Sequence, residues 1–143
     1  MTAYQKAVQL LGSRPHFRRE LQAKLAQRSY PAEEIEEALD RLAEQGYLDD
    51  SKTAVAFVEQ RLSRSSEGRL RLRAELEKRG APAEAIEEAL AAVPEDDVEP
   101  AREAAERWQR LHPRGEPAAL ARHLARKGFS RRAIFALLKS DFE

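Results

Sequence analysis

Three observations predict an all-α fold. Apolar residues recur three and four apart along the whole chain, whereas alternating strand patterns and Asn-Gly or Asp-Gly hairpin turns are missing. Leu21 to Leu39 and Leu72 to Leu90 align without a gap and agree at roughly a dozen positions, more than shared helix composition produces. A fainter third copy runs from Leu120 to Leu138, in which Leu120, Leu124, Ile134 and Leu138 take the places of Leu72, Leu76, Ile86 and Leu90. The chain therefore divides into three-helix repeats at 1–47, 48–94 and 95–143, expected to form an elongated, curved array.

The elements follow in order. In the first repeat Ala3, Tyr4, Ala7, Leu10 and Leu11 mark one helix, Leu21 and Leu25 a second, and Ile35, Leu39 and Leu42 a third. Gly12 to Pro15 separates the first two, and Pro31 opens the third as a first-turn proline. The second repeat has Ala54, Phe57, Val58 and Leu62, then Leu72 and Leu76 after Gly68, then Ile86 and Leu90. Gly80 and Pro82 divide its last two helices, because glycine accepts the left-handed conformation past a helix end and proline presets the next start. In the third, Asp96 and Asp97 suit a helix start, and Ala101, Ala104, Ala105, Trp108 and Leu111 follow. His112 to Gly115 breaks that helix, Leu120 and Leu124 carry the next, Gly128 caps it, and Ser130 N-caps the last, through Ala133, Ile134, Leu137 and Leu138. Helices this short need tertiary packing to persist.

Composition narrows the function. With 35% of residues charged and 6% aromatic, the core is thin, and the absence of cysteine excludes disulfides and thiolate metal sites. His16, His112 and His123 lack metal-ligand spacing, so no metal or cofactor is expected. Neither a cleavable leader nor a bilayer-spanning run is seen, which gives the expectation of a cytoplasmic protein without membrane contact. No long unpaired apolar heptad is present either, so a monomer is expected.

Glu33, Glu34, Glu36 and Glu37, with Glu84, Glu87 and Glu88, fall in early helix turns where the dipole favours negative charge, and they read as helix-start charge, not a catalytic pair. Ser63, Ser65 and Ser66 precede Gly68 without a phosphate loop or nucleophile motif. An enzyme is not expected.

The net charge is zero, yet it is banded: His16 to Arg28, Arg61 to Arg79 and Arg107 to Arg132 are basic, and Glu33 to Asp50 and Glu95 to Glu106 acidic. Arginine dominates the basic bands, a bias that genome base composition or bidentate contact with carboxylate and phosphate would each explain. If Leu120 and Leu124 are buried, Arg122 and Arg126 point outward, with Lys127, Arg131 and Arg132 close by in sequence. Arg69 and Arg73 flank the Leu72 and Leu76 stripe in the same way, with Arg71 on the other side. These eight residues are the candidate partner-binding set, and a DNA backbone or an acidic protein groove would suit them equally. Arg28, Arg79 and Lys127 share one repeat position near a helix C-terminus, where a cation offsets the dipole. Phe57, Trp108, Phe129 and Phe135 sit mostly at stripe or turn positions and read as core, so no base-stacking platform is expected.

Several stretches taken together resemble the RecX family of recombination regulators. They are Ala7, Leu10, Leu11 and Arg14 in the opening helix; Glu20-Leu21 with Leu25; Gly46-Tyr47-Leu48-Asp49-Asp50 followed by Ala54, Ala56 and Phe57; Gly68 before Arg73-Ala74-Glu75-Leu76 and Arg79-Gly80; and Arg126-Lys127-Gly128-Phe129. Two positions depart from the pattern, Phe17 standing for a serine that heads the second helix and Ser29 for a glycine that ends it. The resemblance implies a modulator that binds the RecA recombinase filament on single-stranded DNA, lodges in its groove, and inhibits strand exchange, ATP hydrolysis and coprotease activity. A nonspecific DNA-binding module with weak direct DNA contact, and a scaffold for a helical partner, are the alternatives.

Overall fold

A computed structural model describes residues 1–141, and among them the chain forms nine helices and no strand. These are α1 (Ala3–Ser13), α2 (Arg18–Gln27), α3 (Ala32–Glu44), α4 (Asp50–Arg64), α5 (Arg69–Arg79), α6 (Ala83–Leu90), α7 (Val98–Leu111), α8 (Pro117–Arg126) and α9 (Arg131–Asp141). The packing gathers them into two compact units, 1–56 with 76–88 and 57–75 with 89–143, so α4, α5 and α6 are each shared between the two.

In the first unit α1, α2 and α3 pack on one another around Ala3, Ala7, Leu21, Leu25, Ile35, Ala38, Leu39, Leu42 and Leu48. Truncating any of these buried leucines to alanine removes about 2–5 kcal/mol in a packed core. Thr2 and Gln5 begin α1 with a reciprocal capping box: the Gln5 amide donates to Thr2 Oγ1 at 3.1 Å, and the Thr2 amide donates to Gln5 Oε1 at 2.9 Å.

The departure at Phe17 has a physical resolution. A phenyl ring cannot cap a helix; this one is fully buried, and two carboxylates take over the free amides of α2. Glu20 Oε1 accepts the Phe17 N–H, and Asp50 Oδ1 accepts the Arg18 N–H, both at 2.9 Å. Ser29, the other departure, has φ 65°, the left-handed conformation that Gly80 and Gly128 adopt at the equivalent positions with φ 92° and 89°. Pro31 and Pro82 stand just before α3 and α6 and not inside their first turns.

His16 is buried within this unit. One ring nitrogen, Nδ1, faces the Arg14 carbonyl and the other, Nε2, faces Lys24 Nζ, each at 2.9 Å. A carbonyl can only accept and an ammonium only donate, so the ring is the neutral Nδ1–H tautomer. Burial first, and the cations of Arg14 and Lys24 next, hold its pKa below the ordinary 6.5. Between that lowered value and 6.5 the unfolded chain binds a proton that the folded chain refuses, so stability rises with pH there and is lost as pH falls through it. Denaturation midpoints measured between about pH 8 and pH 5 are expected to decline on the acid side, and the decline should be shallower in His16→Gln. Equal slopes would show that this imidazole is not the group responsible.

In the second unit α7, α8 and α9 pack around Ala101, Ala104, Ala105, Leu120, Leu124, Phe129, Ala133 and Leu137. The N-cap expected at Ser130 is present: its Oγ accepts the Ala133 N–H at 3.1 Å. Asp97 holds the cap in place, accepting the Ser130 N–H and O–H at 2.7 Å each.

The same unit holds the start of α5 against the turn between α8 and α9. The Gly68 N–H donates to the Lys127 carbonyl at 2.9 Å, and a Cβ placed on Gly68 would lie 2.1 Å from the Gly128 oxygen. Beside this contact lies a buried ionic cluster. Glu67 is 4% exposed; Arg61 Nε donates to it at 2.9 Å, Arg71 Nε lies 3.2 Å away, and Ser65 Oγ donates at 3.2 Å. Arg61 also reaches Glu75 at 3.1 Å, and the hydrogen bonds it donates to the Glu67 and Glu75 carboxylates raise its pKa above the ordinary arginine value.

Candidate functional site

The eight candidate cations separate into two groups. Arg69 is half-buried and donates to the Leu90 and Val93 carbonyls at 2.9 and 2.7 Å, closing the C-terminal end of α6. Arg71 pairs with Glu67 and Glu75 and donates to the Arg126 carbonyl at 3.3 Å. Arg73 is half-buried and also engaged. Arg69 and Arg71 therefore serve the packing of the chain itself, because a guanidinium beside the orphan carbonyls of a helix end or beside a buried carboxylate is drawn inward.

Arg122, Arg126, Arg131 and Arg132 are exposed and make no ion pair among the described residues. Leu120 and Leu124 are fully buried, so the expected outward aim of Arg122 and Arg126 holds. Arg131 and Arg132 occupy the first two positions of α9, where the helix dipole is positive and a cation is unfavourable. Helix stability cannot account for them. The shared repeat position also divides: Arg28 donates to the Lys24 carbonyl at 3.2 Å, Arg79 donates to Glu20 Oε1 at 3.0 Å, and Lys127 is half-buried beside a cleft.

That cleft is the part of the site that the residue pattern did not disclose. It has a volume of about 400 Å³ and is lined by Arg107, Trp108, Leu111, His112, His123, Arg126 and Lys127, among others. The Trp108 and His112 rings stack with centroids 4.6 Å apart and planes 19° from parallel, and His123 lies 6.2 Å from Trp108. Burial first, then Lys127, Arg126 and His112, lower the His123 pKa. Trp108 packs against the core of its unit, as expected, but is only half-buried and borders a cationic surface; the expectation for Phe135 is corrected, since it is 70% exposed because α9 turns Ala133 and Leu137 inward and Phe135 outward. The four-residue spacing of Trp108 and His112 was a usable signal for their contact, whereas the approach of His123 depends on how α8 packs on α7. Among the described residues no group of histidine and carboxylate side chains could hold a metal ion, and no helix is long and apolar enough to cross a membrane.

Residues 3–42 match the description "RecX, first three-helix domain" and residues 49–90 "RecX, second three-helix domain". The chain belongs to the RecX family. Regulatory protein RecX of Xanthomonas axonopodis pv. citri (strain 306) is 38% identical, the alignment covering 99% of this chain and 89% of that protein. Regulatory protein RecX of Pseudomonas entomophila (strain L48) is 40% identical over 92% of this chain and 86% of its own. The crystal structure of RecX from Lactobacillus salivarius superposes with a TM-score of 0.83 at 22% identity, covering 96% of this chain and 93% of that one. A second crystal structure, of regulatory protein RecX, gives 0.82 at 24% identity, covering 97% and 72%. These likenesses establish the all-helical RecX fold, and the relatives are named as regulators.

Proposed function

We propose that this chain is a regulator of the RecA recombinase that binds the RecA filament on single-stranded DNA, lodges in its groove, and inhibits strand exchange, ATP hydrolysis and coprotease activity. In this role it modulates DNA recombination and repair, acts without catalysis of its own, and works in the cytoplasm as a monomer. The observation that carries the reading is the set of exposed cations at the end of α8 and the start of α9. Arg122, Arg126, Arg131 and Arg132 have no ion pair among the described residues, and two of them oppose their own helix dipole. Such a surface is complementary to an acidic protein groove and to phosphates, and membership of a family whose relatives are named regulatory proteins supports the reading with the recombinase filament as partner. Arg69 and Arg71 belong to this reading as supports of the scaffold, and Arg73 and Lys127 as neighbours of the contact.

The test is the single-strand-dependent ATPase of the cognate recombinase, titrated with the protein and with a variant carrying alanine at Arg122, Arg126, Arg131 and Arg132. The variant is expected to keep its helical circular dichroism and to need at least about tenfold more protein for half-inhibition, which corresponds to roughly 1.4 kcal/mol of lost binding. Unchanged inhibition by the variant would remove this surface from the proposal. Absence of inhibition by the unaltered protein, together with DNA binding that falls steeply with salt, would favour a nonspecific DNA-binding module in its place.

A further inference from the structure

We propose that the cleft between α7 and α8 is a nucleotide-binding site, taking the base on its aromatic floor and the phosphate on its basic rim, whether the nucleotide is free or one unit of a single strand. The floor is formed by Trp108, stacked on His112 at 4.6 Å, with His123 at 6.2 Å and Leu111 beside it. Leu111 is 74% exposed although it continues the apolar stripe of α7, so an apolar and aromatic surface is left open to a ligand. The rim carries Arg107, Arg126 and Lys127. Among the described residues Arg107 and Arg126 are exposed without an ion pair, and no carboxylate lines the cleft. The nearby Glu103 accepts a hydrogen bond from Ser66 at 3.1 Å.

Each simpler ligand would use only half of this arrangement. A carboxylate or inorganic anion would satisfy the cations and leave the ring surface idle, whereas an apolar ligand would strand three cations at its edge. A nucleotide answers both, since every base has a π-face and every phosphate accepts the fork of an arginine. A volume of about 400 Å³ falls within the range of small-ligand sites. Burial first, and the Lys127 and Arg126 cations next, lower the His123 pKa, and a bound phosphate would offset the cationic part.

Trp108 is the sole tryptophan of the chain, so its emission reports on the site directly. The intact protein, with no recombinase present, is titrated with dTMP, with a short oligo-dT and with inorganic phosphate. A saturable change in emission is expected with dTMP, with the oligomer, or with both, and the pattern identifies the source of the nucleotide. Inorganic phosphate should bind at least tenfold more weakly than the best of these. The Arg107→Ala/Arg126→Ala variant should weaken nucleotide binding at least tenfold while keeping its helical circular dichroism. No saturable change with either nucleotide ligand, phosphate binding as tightly as nucleotide, or undiminished binding by the folded variant would each overturn the proposal. Because the recombinase is absent from the titration, failure of nucleotide binding here and failure of filament inhibition there are read out separately, although Arg126 belongs to both surfaces.

Discussion

Replacing Gly68 with alanine is expected to destabilise the second compact unit by about 3 kcal/mol, near the upper end of overpacking costs. The added methyl carbon would lie 2.1 Å from the Gly128 oxygen, 2.3 Å from its carbonyl carbon and 2.6 Å from the Phe129 nitrogen. All three are backbone atoms and cannot swing aside as the tip of a side chain would. The turn is also tied to Gly68 by the bond from its amide to the Lys127 carbonyl, so relief of the clash would break that bond. For a chain of this size the loss corresponds to a melting temperature lower by roughly 10 °C. Gly12 supplies the control. It lies inside α1 with nothing within 4 Å of where a methyl carbon would stand, so Gly12→Ala should be neutral or stabilising by about 0.5 kcal/mol. Thermal melts of the two variants side by side check both statements, and a Gly68→Ala protein that melts with the unaltered one would show that the turn can yield.

Removing the Arg61 side chain as alanine is expected to cost about 3 kcal/mol, because it strips the chief counter-charge from a carboxylate held out of water. The Glu67 side chain is 3% exposed, and without Arg61 it keeps Arg71 at 3.2 Å and the Ser65 hydroxyl. The cost reflects an uncompensated charge and not the net worth of the pair. A double variant, Arg61→Met with Glu67→Leu, should therefore recover most of the loss. Exposed pairs behave otherwise. Arg18 meets Glu36 at 2.9 Å and Asp40 at 2.7 Å, but those carboxylates are 51% and 67% exposed, so breaking them should cost less than about 1 kcal/mol and less still in high salt. Urea denaturation at low and high salt separates the two cases; a salt-sensitive, sub-kilocalorie loss for Arg61→Ala would refute the buried-charge account.

The helices were legible from the chain because their apolar spacing and their stop signals act locally. Leu21 with Leu25, Leu72 with Leu76, and Leu120 with Leu124 all lie at or near zero exposure, and Gly80 and Gly128 adopt the positive φ that a helix end favours. What the pattern left out depends on contacts between distant segments. Nothing near Phe17 announces that Asp50 will accept the Arg18 amide from more than thirty residues away, and nothing around Arg69 announces that it will close the end of α6. Within the site the same division holds. Arg122 and Arg126 followed from the stripe they oppose, whereas Arg71 was drawn inward by Glu67, whose burial no local rule foretells. Phe135 marks a different limit, since a large apolar residue at helical spacing reads as core until the neighbours that decide the inward face are known.

The sharing of α4, α5 and α6 between two compact units bears on where the chain can be cut. A gene fragment ending at the second repeat boundary would look tidy beside the internal repeat, yet it would part residues 57–75 from 95–141, most of the segment with which they form one compact unit. The repeats, which the matched three-helix domains at 3–42 and 49–90 follow, and the compact units thus divide the chain at different places.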